Sequence, residues 1–344
     1  MDDILNIIER VVPQLSAELA QRVRVMQLLA HHSERLGRKA LAQKVGLSER
    51  TLRTLIDSLR QQGLVDVTQA GMQLTHYGEL TLKVLEELLE AESPYFELAQ
   101  RLKQRLGIAQ CYVVSGNADE QSSVGERLGR MVTTILQELL PKGRQVIAMT
   151  GGTTLAHVAH QFDQTLSYER ELVFVPARGG VGGSYDIQSN SIGGLMAKQT
   201  NGLFVPLFIP ENMQESTSRI LLNDPTINYA VELSKTADCL LLSVGNANIM
   251  AERHDLTEQQ KKELVQQQAV GEAFGVFFNQ AGQEVLRLPK IGVQLEALQQ
   301  VPLLVTVVGG ASKAKAIQAY YKLVQHHGIL VCDEGIANMV LSGD

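Results

Sequence analysis

Residues 38–74 read RKALAQKVGLSERTLRTLIDSLRQQGLVDVTQAGMQL, the pattern of a helix, a turn at Gly46, a second helix and a β-hairpin. Ser48 stands as an N-cap before Glu49 and Arg50, and Gly63 supplies a left-handed stop. Between them Leu52, Leu55, Ile56 and Leu59 recur at i, i+3, i+4 and i+7, which makes one apolar stripe at 3.6 residues per turn. Beyond Gly63, Leu64-Val65-Asp66-Val67 runs to a turn at Ala70-Gly71 and Met72-Gln73-Leu74 returns, as a two-stranded wing would. The whole predicts a winged helix-turn-helix. A helical hairpin that never touches DNA is the alternative, disfavoured because cap, turn, charge and wing occur in order.

Opposite the apolar stripe lie Arg50 and Thr54, flanked by Thr51 and Arg53. These four are the expected base readers, since the first turns of a recognition helix meet major-groove edges. Arg38, Lys39 and Lys44 are expected on phosphates, with Ser48 beside them at the helix start. Between Arg35 and Arg60 there are seven basic and two acidic residues, a local balance of +5 in a chain of formal net charge -6. The positive charge is concentrated where a polyanion would dock, and double-stranded operator DNA is the expected partner.

The chain has 344 residues, 44% hydrophobic, enough for two globular domains. No apolar run approaches the length of a membrane span, and Met1-Asp2-Asp3 is unlike a secretory signal, so a cytoplasmic protein without membrane contact is expected. Cys111, Cys239 and Cys332 are widely spaced in or beside apolar segments and read as reduced thiols. Neither a disulfide framework nor a metal site is expected.

A short amphipathic helix with Ile4, Ile7, Ile8 and Val11 on one face should precede Pro13, and another should run from about Leu15 to His32. Tyr77 to Ala91, with Leu82, Leu85 and Leu89 on one stripe, reads as a linker helix that packs either on a second copy or on its own head. The expected domains are residues 1–93, the DNA-binding head with its linker helix, and residues 94–344. The second has the texture of a doubly wound, mostly parallel α/β domain, with strand-like runs at 112–115, 146–149, 172–175, 239–244, 274–278, 303–308 and 329–332. Ligands of such sheets sit outside the carboxyl ends of the strands.

Three of those ends suit an anion. Thr150-Gly151-Gly152-Thr153-Thr154 offers backbone N–H groups, hydroxyls and a helix start. Ala177-Arg178-Gly179-Gly180-Val181-Gly182-Gly183 reads as a flexible loop with one guanidinium, and Gly309-Gly310-Ala311-Ser312-Lys313 repeats strand, glycines, hydroxyl and base. No Walker A sequence and no dinucleotide fingerprint stands at these ends. A phosphorylated small molecule is expected, with glycine's structural uses as the competing explanation.

With these motifs in place, and with Asp186-Ile187-Gln188-Ser189-Asn190 and Gly271-Glu272-Ala273, nearly the full chain resembles the SorC family of sugar-binding bacterial transcriptional regulators, which implies a repressor, with glycolytic genes as its expected targets. The resemblance implies an effector domain related to phosphosugar isomerases and deaminases, a homo-oligomer from dimer to tetramer, and control by a sugar phosphate, fructose 1,6-bisphosphate above others. It also implies the effector contacts. Gly151, Gly152, Thr153 and Thr154 would hold a phosphate; Arg178, Arg253 and Lys313 would face the ligand, with Gly179, Gly180, Gly310 and Ser312 in their loops; Gln188 and Glu272 would meet sugar hydroxyls. No catalytic residue and no cofactor are expected.

The competing class is an active phosphosugar isomerase or deaminase, which needs a general base and a proton relay beside the substrate. Those enzymes commonly carry Asp-Gly-His after a strand, and the corresponding-looking place here is Val244-Gly245-Asn246-Ala247-Asn248, without carboxylate or histidine. His157 and His160 read as surface or core residues and His326-His327 as a helix end. Glu272 is left as the lone candidate base.

Overall fold

In a computed structural model, the structure describes residues 13–30, 35–91, 94–179, 184–209, 217 and 220–343. The chain divides into two compact units, Met1–Phe96 and Glu97–Asp344. The helix expected at Ile4 to Val11 and the effector residue Gly180 lie outside the described residues.

The first unit contains α1 (Pro13–Ala30), α2 (Arg38–Val45), α3 (Glu49–Gln61), β1 (Val65–Thr68), β2 (Gly71–Leu74) and α4 (His76–Ala91). The Ser48 hydroxyl accepts from Thr51 N at 3.1 Å and caps α3. Gly63 takes φ 73° beyond the helix end, and Leu64 N bonds Leu59 O at 2.9 Å, which satisfies carbonyls that the last turn would otherwise strand. Leu52, Leu55, Ile56 and Leu59 are all buried. They meet Val25, Met26 and Leu29 of α1, Leu41 of α2 and Met72 of the wing in one core. Thr68 pairs with Gly71, so the hairpin turns on Gln69-Ala70, and Leu36 makes an isolated antiparallel bridge to Met72. Leu82 of α4 belongs to this core and Leu85 packs against it. The head therefore takes these two leucines, as one of the two sequence alternatives had it; the Leu89 side chain lies outside the description.

α5 (Pro94–Leu106) begins at the end of the first unit and leads, in the second, to β3 (Gln110–Val114), α6 (Val124–Leu139), β4 (Gly143–Met149), α7 (Thr153–Ala159), β5 (Arg170–Pro176), α8 (Ser189–Thr200), β6 (Leu203–Phe204), α9 (Pro225–Lys235) and β7 (Cys239–Leu242). There follow β8 (Gly245–Asn246), α10 (Ala247–Arg253), α11 (Glu258–Gln266), β9 (Ala269–Ala273), β10 (Val276–Asn279), β11 (Glu284–Arg287), β12 (Leu303–Val308), α12 (Ala314–Leu323), β13 (Ile329–Asp333) and α13 (Glu334–Ser342). Seven strands form a wholly parallel sheet in the order β3-β13-β12-β7-β4-β5-β6. From β4 the chain steps to β5 and β6 on one side, then returns to β7 on the other. The β4/β7 boundary is thus the topological switch point, where an α/β sheet opens a crevice.

One expected strand is corrected. Residues 274–278 do not form a strand of the parallel sheet. Phe274 and Gly275 have φ 55° and 76° and make a two-residue turn between β9 and β10, and these strands lie in a separate antiparallel sheet ordered β11-β10-β9-β8. A left-handed phenylalanine gives no turn signal in the sequence, because glycine or asparagine usually fills that position. Cys239 and Cys332 are buried, Cys111 is half-buried, and all three are free thiols. Burial, with Asp238 nearby, raises the Cys239 pKa. Among the described residues no helix is long and apolar enough to cross a membrane.

Candidate effector pocket and DNA-reading face

On α3 the expected readers Arg50, Thr51, Arg53 and Thr54 are all exposed, as are Lys39 and Lys44, while Arg38 is half-buried. Hydrogen bonding divides the hydroxyls. Ser48 and Thr51 share a 2.8 Å bond, and Thr54 donates back to Arg50 O at 3.3 Å, so Ser48 is committed to the cap. Arg35, part of the basic cluster, is turned to the wing, where it pairs with Asp66 at 2.8 Å and donates to Thr68 at 3.0 Å.

The pocket of the second unit opens at the switch point and encloses about 640 Å³, its mouth included. Four adjacent strands feed it from their carboxyl ends. Thr150 to Thr154 follow β4, Arg178 follows β5, Ser243 to Asn246 follow β7, and Lys313 follows β12. The second sheet adds Glu272 and Phe274, and α10 adds Ile249, Met250 and Arg253.

One side of the pocket is a cradle for an anion. Gly152, at φ 124°, opens α7, and Arg253 reaches it with an Nη2 bond to Thr153 Oγ1 of 3.1 Å. The Thr150 hydroxyl is buried with no partner among the described residues. Lys313 stands nearby with its pKa below the ordinary value: the surrounding protein lowers it most, Arg253 adds to this, and Asp119 and Asp333 partly oppose it. Two cations crowded against each other are relieved by an anion between them, and a phosphate dianion suits that demand.

The other side is a buried ion pair. Arg178 and Glu272 side chains are 4% and 3% exposed, with Arg178 Nη2 3.3 Å from Glu272 Oε1. The guanidinium also lies 5.7 Å from the Phe274 ring centre, near enough for cation–π attraction. Burial raises the Glu272 pKa, yet Arg178, His254 and the Gly275 N–H together outweigh it and hold the carboxyl at about 2. Residues 177–179, the described part of the expected flexible loop, are held in place. Gly179 N bonds Ile291 O at 3.0 Å and Val293 N bonds Ala177 O at 2.7 Å, an antiparallel bridge around Gly292, where an added Cβ would come within 2.3 Å of Ala177 O. Val181 to Gly183, like Gly180, lie outside the described residues.

Thus Gly151, Gly152, Thr153, Thr154, Arg178, Arg253, Glu272 and Lys313 come together as expected, whereas Gly179, Gln188, Gly310 and Ser312 do not line the pocket. For Gly310 and Ser312 the reason is visible. The loop's N–H groups are already occupied: Gly310 N bonds Asp333 at 2.7 Å, Ala311 N bonds Asn117 at 3.1 Å, and Ser312 N and Oγ bond Asp119 at 2.8 and 3.0 Å. This loop presents Lys313 and leaves none of these three N–H groups for a phosphate. Asp119, Asn117 and Asp333 were missed by sequence reasoning, although polar residues just after strands in a parallel sheet are a signal worth taking. His254, fully buried 3.8 Å from Glu272 Oε1, carried no local signal at all. Ser243 and Phe274, which also line the pocket, were likewise unmarked.

Comparison with known proteins places both units. A family model described as a sugar-binding domain matches residues 93–342, and one described as the CggR N-terminal DNA binding domain matches residues 19–89. The chain is 34% identical over 337 residues to the central glycolytic genes regulator of Priestia megaterium, covering 98% of each protein. It is 33% identical over 341 residues to that of Bacillus subtilis, covering 99% of each. A solved SorC family transcriptional regulator from Enterococcus faecalis superposes with a TM-score of 0.68 at 39% identity, over 71% of this chain and 99% of that one. The full-length sorbitol operon regulator SorC from Klebsiella pneumoniae shares the fold, with a TM-score of 0.63 at 16% identity over 93% and 98% of the two chains.

Proposed function

The chain belongs to the sugar-binding transcriptional regulators of the SorC family, and on that premise we propose that it represses glycolytic genes as a homo-oligomer, a tetramer on its operator, under control of a sugar phosphate, fructose 1,6-bisphosphate first among candidates. The observation that carries the effector reading is the pocket at the switch point. It joins a threonine-lined cradle and two cations, Arg253 and Lys313, to a buried Arg178–Glu272 pair suited to hydroxyl groups. The operator reading rests on the exposed Arg50, Thr51, Arg53 and Thr54 of α3, with Arg38, Lys39 and Lys44 on phosphates.

The sensor reading is favoured over turnover. Glu272 is the carboxylate that lines the described pocket, and a group held at about 2 by a buried arginine is a poor proton acceptor at neutral pH. Turnover of fructose 1,6-bisphosphate or a hexose monophosphate by the purified protein would overturn it.

Thermal unfolding of the full chain against a panel of sugar phosphates is the direct test, because a ligand that prefers the native state raises its stability. Fructose 1,6-bisphosphate should give a large upward shift that shrinks in Thr154→Ala and Lys313→Ala. No shift with any phosphosugar would defeat the effector reading. An effector that releases the protein from DNA must also bind the operator complex less tightly than the free protein, and equal affinities in the two states would defeat the coupling.

A further inference from the structure

We propose that His254 is a positioning residue of the effector pocket, one that fixes Glu272 Oε1 so that Glu272 Oε2 is presented to the hydroxyl groups of the ligand. The proposal rests on the sugar-phosphate reading above and deepens it: it separates the part of the pocket that reads the sugar from the part that holds the phosphate.

The two oxygens of Glu272 stand in different company. Oε1 takes Arg178 Nη2 at 3.3 Å and Gly275 N at 2.6 Å, and it faces His254 Nε2 at 3.8 Å. Oε2 points toward Gly245, a pocket-lining residue, where an added Cβ would lie 3.8 Å away. Two hydrogen bonds thus hold one oxygen, with the imidazole nitrogen beside it at 3.8 Å, longer than a hydrogen bond, and the other oxygen is left at the pocket wall. A carboxylate held in this way cannot rotate without breaking charged contacts in a medium of low polarity, and its unused lone pairs keep a constant direction.

His254 is placed for this by the end of α10. Its N–H bonds Met250 O at 2.9 Å, and Asp255 then turns at φ 50°. The imidazole side chain is fully buried, edge-on to Phe277 at 6.2 Å between ring centres. Among the described residues, the charged groups near it include Glu272 from β9, Arg178 behind that carboxylate, and its chain neighbours Arg253 and Asp255, and β10 brings the apolar Phe277. Consecutive residues therefore serve opposite walls. Arg253 bonds Thr153 in the phosphate cradle, and His254 meets the carboxylate, so the last turn of α10 joins the two halves of the site.

Isothermal titration of the full chain at pH 7 with fructose 1,6-bisphosphate, fructose 6-phosphate and inorganic phosphate tests this. Inorganic phosphate reads the cradle alone. In His254→Phe the affinity for both sugar phosphates should fall by clearly more than the roughly twofold within which inorganic phosphate binding stays. His254→Gln, which can keep an N–H directed at Oε1, should recover most of the loss, and His254→Asn, which is shorter, should not. In a Glu272→Gln background, His254→Phe should have no further effect. Equal loss of phosphate and sugar phosphate binding, or no loss of either, would overturn the proposal. So would failure of His254→Gln to outperform His254→Asn, a comparison that stands even if the phenylalanine variant does not fold. A wild-type protein that binds none of the sugar phosphates fails the effector reading itself, and that outcome is visible before any variant is made.

Discussion

Replacing Arg178 by methionine keeps the stem and removes the guanidinium, which strands a carboxylate that is 3% exposed. Glu272 then retains the Gly275 N–H at 2.6 Å and the His254 ring at 3.8 Å. Removing one partner of a buried pair costs roughly 3–5 kcal/mol. In a unit of this size each kcal/mol moves the midpoint by roughly 2–4 °C, so the second unit should melt roughly 6–20 °C lower. The double variant R178M/E272Q should recover most of the loss, because no uncompensated charge is left. The pH dependence has opposite signs in the two proteins. In the wild type the Glu272 pKa is lowered from 4.5 to about 2, so its stabilisation is complete above about 4.5 and is lost as the pH falls toward 2. Without Arg178, burial dominates and the folded pKa rises above the unfolded one. The R178M penalty is then present at neutral pH and relieved as the carboxyl takes up its proton on acidification. Scanning calorimetry of the full-length wild type, R178M, E272Q and the double variant between pH 2 and 8 reads all of this. A midpoint for R178M within about 2 °C of wild type at pH 7, or a double variant no better than R178M, would refute the reasoning.

Three further outcomes are expected. Ser48→Ala removes the side chain that accepts from Thr51 N at 3.1 Å and should cost the head about 1 kcal/mol by denaturant unfolding; an unchanged midpoint would show that the helix start is held by other contacts. Arg50→Ala should relax base preference by about 1–3 kcal/mol if the arginine pairs bidentately with guanine, and equal losses on operator and random DNA would restrict it to the backbone. Asp119→Ala frees the Ser312 amide and hydroxyl and should weaken sugar phosphate binding about tenfold, as two lost hydrogen bonds would; unchanged titration would mean that Asp333 and Asn117 hold the loop unaided.

The winged head was legible almost to the residue. Its signals are local: a capping serine three residues before the N–H that it accepts from, a leucine stripe at helical spacing, a glycine past each helix. The parallel strands were legible for a similar reason, since strands buried on both faces read as continuous apolar runs. The one misplaced run, 274–278, failed where Phe274 adopts a left-handed turn that its own chemistry does not announce. In the pocket, the loops after β4, β5 and β12 were legible because glycine, hydroxyl and base are adjacent in sequence. The pairings were not, since Asp119 meets Ser312 and Glu272 meets Arg178 across long stretches of chain.

By itself the sequence determined the winged head, the main strands of the parallel sheet and where the basic residues of the head lie, because propensity, capping and periodicity act over a few residues. Only the tertiary structure decided the rest. It set β4 beside β7 so that four strand ends share one crevice, occupied three N–H groups of the Gly310–Lys313 loop with Asp333, Asn117 and Asp119, and buried Arg178 against Glu272 with His254 at its back. Burial is what turns those charges into a rigid, directional pair, and burial is a property of the packed sheet and helices together, which no local stretch of sequence carries.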